Sequence, residues 1–244
     1  MPDAHAHRGV ERVDRVLDLV ARSTEPPTLT EISRSLGLPR STAADVLREL
    51  RARGYLRLVG RGHVLGRRLQ VLGLLAGSGP PSPVEHDRLE ELSRLARAPV
   101  ASAVLVGGEV LYLDHAGPRA PARLQAVADE HRPRPALRTA AGRLLLAFAG
   151  DAERASVLRA VAADDPEAVA AFERERPAIE RARLARSDGL ADPSIRAIAV
   201  PVVEDRQVTA ALVLFGPRPR TPGAPAPSAQ LALERAAARV AAAL

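Results

Sequence analysis

The stretch from Thr28 to Leu65, TLTEISRSLGLPRSTAADVLRELRARGYLRLVGRGHVL, constrains this chain more than any other. Thr28 and Glu31 have capping-box spacing, so a helix starts there. Ile32 and Leu36, four apart, share one face of it. Gly37 ends the helix, since glycine takes the left-handed conformation of a sharp turn at little cost. Pro39 suits the first turn of a second helix, where its missing N–H is not needed. In that helix Ala43, Val46, Leu47 and Leu50 fall at i, i+3, i+4 and i+7 and form one buried face. Ser41, Asp45, Arg48 and Ala52 then point outward, flanked by Thr42 and Ala44.

The outward face carries the chemistry. Arg40, Ser41 and Thr42 stand at the N-terminal tip, where free backbone N–H groups and the positive end of the helix dipole attract phosphate. Small polar residues at the tip and arginines along the outer face suit a helix that enters a DNA major groove. Beyond Gly54, two short apolar runs flank Gly60-Arg61-Gly62 and predict a β-hairpin with Arg61 at its tip. That is the wing of a winged helix-turn-helix, and its arginine reaches phosphate or the minor groove. Two amphipathic helices around a glycine turn form an αα-hairpin in many proteins that bind no nucleic acid. Here cap, turn, polar tip and hairpin agree with one another.

Charge supports this. Residues 1–79 hold 13 arginines against 8 acids, whereas residues 80–244 hold 22 against 21. The excess accompanies the helix-turn-helix, as a footprint for phosphate does. Every basic residue is arginine, and no cysteine is present, so disulfides and thiolate metal sites are excluded. Aromatic residues are 2% of the chain, so leucine, valine, isoleucine and alanine must build the cores. No apolar run is long enough to span a bilayer and no signal peptide is recognised, which predicts a cytoplasmic protein.

In chain order, residues 1–7 are expected to be disordered, and a helix to run from Gly9 to Arg22 with Val13, Val16, Leu17 and Val20 inward. After the wing, Gly66 to Leu75 reads as a linker helix. The Gly- and Pro-dense run from Gly77 to Pro83 marks a boundary, which divides the chain into residues 1–77 and 78–244. The second part opens with a helix, Val84 to Arg97. A hairpin follows, Val100–Val106 and Val110–Leu113 around Gly107-Gly108, and then a strand from Arg123 to Ala128. Thr139 caps a helix that runs to Gly150, and further helices cover 151–162 and 166–187. Strands Ile195–Val203 and Val208–Phe215 are apolar on both faces, so both faces must be covered. A helix from Ser228 to Leu244 closes an α/β sandwich.

With both parts read, the chain resembles the IclR family of bacterial transcription regulators over roughly residues 9–243. The resemblance is carried by LTEISRSLGLPRSTAADVLREL with GYL after it, HVLGRRLQVLG, VLYLDHAG, TAAGRLLLAF and PSIRAIAVPV ahead of a strand ending in FGP, in this order and spacing. It implies a GAF-like second domain that binds a small effector. It also implies a homodimer or dimer of dimers on a palindromic operator, often as a repressor, with the linker helix as transmitter and dimer contact. The DNA residues carried over are Arg40, Ser41, Thr42 and Arg48. Asp45 replaces a residue usually basic in the family. It either accepts a hydrogen bond from cytosine N4 or simply pairs with Arg48 on the helix surface.

At the effector site the resemblance points to Leu137, Thr139, Ala140, Gly142, Ala197, Val213 and Phe215. Leu137 stands where the family often has histidine, Arg143 where it has lysine, Ala197 where cysteine is common, and Val213 and Phe215 where serines are common. The acidic loop is shortened to Leu190-Ala191-Asp192. Burying a charged ligand against these apolar groups would cost several kcal/mol. Only the helix N-terminus at Thr139 to Gly142 remains for an anion. The expected effector is apolar or weakly polar. The alternatives are a domain that senses a protein partner and one that has lost ligand binding. No nucleophile elbow, HExxH motif or phosphate-binding loop appears, and Asp114 and His115, adjacent on a strand, face opposite ways. Neither catalysis nor a cofactor or metal is expected.

Overall fold

The computed structural model describes residues 4–75, 82–117, 131–218 and 227–244. They form two compact units, Met1–Gly79 and Pro80–Leu244.

The first unit contains α1 (Ala4–Arg22), α2 (Leu29–Leu36), α3 (Arg40–Ala52), the hairpin β1 (Leu56–Val59) and β2 (Gly62–Leu65), and α4 (Arg68–Leu75). Val16, Val20, Ile32, Leu47, Leu50 and Leu56 make its core. The capping box is closed in both directions: Thr28 N–H donates to Glu31 Oε2 at 2.7 Å, and Glu31 N–H to Thr28 Oγ1 at 3.4 Å. Gly37 sits at φ 64°, and Leu38 N–H returns to the Ser33 carbonyl at 3.0 Å. Helix α1 starts at Ala4, earlier than expected. Pro39 lies one position outside α3, not in its first turn: at ψ 139° it is extended, while its carbonyl accepts the first helical bond, from Ala43 N–H at 2.9 Å.

The wing turns at Gly60-Arg61, with Val59 opposite Gly62. Gly62 is therefore a strand residue. A Cβ there would lie 2.1 Å from the Pro26 carbonyl oxygen, so glycine is required by close approach of the chain, not by the turn. The Pro26-Pro27 segment runs beside β2. His63 N–H donates to the Pro27 carbonyl at 2.9 Å, and the buried imidazole Nδ1 lies 3.3 Å from the same oxygen.

The second unit contains α5 (His86–Ala96), β3 (Val100–Val106), β4 (Glu109–Ala116), β5 (Arg134–Pro135), a 3₁₀ turn (Ala136–Arg138), α6 (Ala140–Phe148), α7 (Asp151–Ala162), α8 (Pro166–Ala182), β6 (Ala185–Asp188), β7 (Ile195–Glu204), β8 (Gln207–Pro217) and α9 (Pro227–Ala241). Six antiparallel strands run in the order β5-β4-β3-β8-β7-β6. Alternation sorts their side chains between two cores. Ala101, Ala103, Ala197, Ala199, Ala211 and Val213 face α6, with Leu144, Phe172 and Ile179. Val100, Ile198, Val200, Leu212 and Leu214 face α5 and α9, with Leu89, Leu92, Leu233 and Val240. This is the mixed α/β architecture expected.

The hairpin glycines 107 and 108 both have positive φ, as a two-residue primed turn needs. The expected strand Arg123–Ala128 lies outside the described residues. Helix 166–187 is shorter than expected. Arg183 adopts φ 49° and ends it, and residues 185–188 reverse to pair with β7 as an edge strand.

Burial pushes the His63 imidazole below its ordinary value, only partly opposed by the Pro27 carbonyl. The unfolded ring takes up a proton near pH 6.5 and the folded ring only at lower pH, so this stability is full above about 6.5 and is lost as pH falls through the folded value. The melting temperature of the first unit should decline below that pH, and His63→Gln should remove this part of the slope in a calorimetric pH series.

Candidate functional site

The exposed side of α3 can be assembled residue by residue. Arg40, Ser41, Asp45 and Arg48 are exposed, and Thr42 is half-buried beside buried Ala43. Pro39 provides no side-chain cap, so the N–H groups of the first turn stay open to an acceptor such as phosphate. Arg48 Nη2 is 2.8 Å from Asp45 Oδ1, both side chains being more than 60% exposed. Such a pair contributes only about 0.3–0.5 kcal/mol and is easily exchanged for other partners. Arg53 lies 3.7 Å from Glu49. Arg61 is exposed at the wing tip, and among the described residues neither it nor Arg40 has an acidic partner within ion-pair distance. The wing histidine is no part of this surface, since it is buried against Pro27.

In the second unit, the seven expected effector positions are brought close together but are packed. Leu137, Thr139, Ala140, Ala197, Val213 and Phe215 are each at most 7% exposed, and Gly142 is buried. Ala197 faces Phe215 directly across β7 and β8, and the Phe215 ring lies 6.0 Å from that of Tyr112. Tyr112 is fully enclosed, which pushes its phenol up to about 12. The helix N-terminus is not an open anion site. Gly142 N–H already donates to Thr139 Oγ1 at 3.0 Å, and a Cβ on Gly142 would meet the Ala136 carbonyl at 2.3 Å.

A cavity of about 230 Å³ adjoins this cluster. Of the seven positions only Leu137 lines it; the remaining wall includes Arg138, Arg143, Asp165, Glu167 and Leu190. Arg143 is the unusual member. Its side chain is 6% exposed and makes an ion pair with Glu175 of α8. The contact is one of charge and not a directed hydrogen bond, since Nε and Nη2 are buried without an acceptor in bonding geometry. Arg138 pairs with Asp165. Asp165 also accepts from Ala168 N–H at 3.1 Å, and these two contacts, the backbone one first, hold its carboxyl below the ordinary range. Phe215 reaches a different and larger cavity, at the end of β8.

A third cavity brings Ser82, His86 and Asp114 together. His86 Nδ1 lies 3.0 Å from Asp114 Oδ2, which raises the imidazole above its usual value. This pairing was not legible in sequence, where Asp114 was considered only with its neighbour His115. It does not form a nucleophile–base–acid array. His86 Nε2 is turned to Glu90 at 3.8 Å, and the Ser82 hydroxyl is engaged with the Val84 carbonyl and Ser102. Among the described residues no group of three His, Asp or Glu is placed to hold a metal, and no helix is long and apolar enough to cross a membrane.

A helix-turn-helix with a hairpin wing, in one chain with an α/β unit containing cavities, defines a DNA-binding regulator with a sensory domain. Residues 9–60 match the IclR helix-turn-helix domain, and residues 83–242 match the bacterial transcriptional regulator IclR C-terminal domain. The HTH-type transcriptional regulator XynR of Escherichia coli is 28% identical over 85% of each chain. An IclR homologue from Microbacterium hydrocarbonoxydans, solved with 4-hydroxybenzoate, is 26% identical, with a TM-score of 0.56 over 96% of this chain and 98% of that one. An IclR family transcriptional regulator from Brucella abortus shares the fold at 21% identity and a TM-score of 0.63, covering 97% of this chain and 92% of that one. The chain belongs to the IclR family of bacterial transcriptional regulators: a helix-turn-helix protein that binds DNA, with a C-terminal ligand-binding domain.

Thr139→Ala would leave Gly142 N–H buried without its acceptor. The second unit should lose about 1–2 kcal/mol in denaturant titration, with little change in the first.

Proposed function

We propose that this regulator acts in the cytoplasm as a repressor on a palindromic operator, as a homodimer or dimer of dimers, and that a small effector in the second unit controls its grip on DNA. The observation that carries the DNA reading is the exposed edge of α3, with Arg40, Ser41, Thr42 and Arg48 beside open first-turn N–H groups, together with Arg61 on the wing. Arg48 is assigned to a base edge, Arg40 and Arg61 to phosphate, and Asp45 to holding Arg48 until DNA competes for it.

Helix α4 supports self-association. Leu69, Val71, Leu72 and Leu75 are each at least 36% exposed and at 100° per residue fall within an arc of about 160°, so water meets one broad apolar face of the helix. A second copy of the same helix offers the matching surface, and a two-fold dimer would present two recognition helices to half-sites about 34 Å apart or a multiple of it. Effector binding then changes DNA affinity by favouring one placement of the two reading heads over another.

The effector reading is a small, largely apolar molecule bound beside Leu137. Leu137, Ala168, Ala171 and Leu190 supply its hydrocarbon, and the two arginines and two acids on the cavity wall balance. The ligand of the Microbacterium homologue, a single ring with a polar group at each end, makes compounds of that size the first to test. The family role and the arrangement of Ser82, His86 and Asp114 favour sensing over turnover, so no catalysis is assigned.

Selecting fragments of the source genome that bind the purified protein should return a small set of inverted repeats with salt-sensitive affinity. Retention of no duplex at any salt concentration would sink the proposal. On the selected operator, Arg48→Ala should cost about 1–3 kcal/mol and relax one base position, whereas Arg61→Ala should weaken all sequences alike and lower the salt slope by about 1. Leu72→Glu should reduce the sedimenting mass to that of a smaller assembly. An unchanged mass would remove α4 from the interface.

A further inference from the structure

We infer that the second unit carries a further ligand site, on the sheet face covered by α5 and α9, and that it takes an amphipathic monoanion: a carboxylate joined to an aliphatic body. A cavity of about 630 Å³ opens there between the C-terminal end of α5, the ends of β7 and β8, and α9. Its volume lies within the ~300–1,000 Å³ typical of small-molecule sites. Ile195, Leu233 and Ala236 make its wall apolar. Arg97, Arg196 and Arg239 stand in the same wall, and among the described residues no carboxylate does.

These three cations are poorly matched. Arg196 directs Nε and Nη2 to the carboxylate of Asp188 at 3.1 and 3.5 Å, but Arg218 Nε takes the same Asp188 oxygen at 3.1 Å. One carboxylate thus faces two guanidinium groups. Arg196 is 13% exposed, and its Nη1 is buried without an acceptor. Among the described residues Arg239 Nε has only the neutral Leu95 carbonyl, at 3.4 Å. Arg97 caps α5 at φ 54°, a position where glycine or asparagine is the favoured occupant. Among the described residues its guanidinium has no acid within ion-pair distance. Arg97 and Arg239 are exposed, so water answers their charge in the free protein; an uncharged apolar ligand would displace that water without replacing it, and a bare inorganic anion would leave the apolar wall wet. A molecule with both parts answers both. The two cavities share no lining residue, although Phe215, one of the expected effector positions, borders this one, and Leu137 belongs to the opposite face of the sheet.

The test is calorimetric titration of the full-length protein with octanoate, and with 1-octanol and acetate as stand-ins for its apolar body and its carboxylate. Octanoate should saturate and bind at least about tenfold more tightly than either stand-in, as expected when a charged hydrogen bond is added to apolar burial. Arg239→Gln and Arg97→Asn, the latter chosen because asparagine tolerates the left-handed backbone, should each weaken octanoate about tenfold. Ala232→Phe, at an exposed position on the cavity wall, should abolish binding, while Arg138→Gln on the other face should leave it unchanged. The proposal is overturned if octanoate does not saturate, if it binds no better than octanol, or if the three variants at this cavity bind like the parent protein. It is also overturned if Arg138→Gln removes binding. A fall in sedimenting mass for Ala232→Phe with unaltered octanoate binding would assign this face to a second copy of the chain and overturn it too.

Discussion

Each unit is held at a point where two stretches of backbone touch through a glycine. At Gly62 a methyl group would lie 2.1 Å from the Pro26 carbonyl, and at Gly142 another would lie 2.3 Å from the carbonyl of Ala136. With aromatic residues at 2% of the chain, few side chains are large enough to fill wide gaps, so elements must come close. The sheet shows the same logic. Alanines at 101, 103, 197, 199 and 211 line the face under α6 and admit that helix closely. The contact at Gly62 aligns Pro27 with His63 and fixes the wing beside the segment that leads into α2. The contact at Gly142 seats α6 on the 3₁₀ turn that carries Leu137 and Arg138.

Function in the first unit depends on what this rigidity leaves exposed. The buried stripe of α3 fixes its rotation, so Arg40, Ser41, Asp45 and Arg48 all face solvent. The Asp45–Arg48 pair is weak in water and yields readily to a competing partner. A basic residue at 45 would instead have added charge for phosphate.

The second unit has the layout of a sensor with two chambers on one sheet. Adjacent residues of β7 and β8 point alternately to α6 on one side and to α5 and α9 on the other. A strand displaced by a ligand on one face must displace side chains on both, because interiors this densely packed do not yield locally. The charge on the two sides differs. Near Leu137 acids stand in the same wall as the arginines, whereas near Leu233 three arginines share a wall in which, among the described residues, no acid stands; Asp188, the partner of Arg196, lies outside it.

The sequence by itself determined the local elements whose signals are contained in a few residues. The Thr28–Glu31 cap, the Gly37 turn, the outward face of α3, the Gly107-Gly108 hairpin and the Thr139 cap all depend on spacing within one turn or two strands, and that spacing is written in the chain. It also ordered the two units and pointed to the family. It did not reveal why Gly62 is glycine, since Pro26 approaches from another segment, nor the pairing of His86 with Asp114. Residues 185–187 read as the end of a helix in sequence, because they become a strand only when β7 is beside them. The effector cluster was legible as a set of positions but not as a packed core. Whether a side chain lines a cavity or fills one depends on distances between elements far apart in sequence, which periodicity does not encode; only tertiary packing settles them.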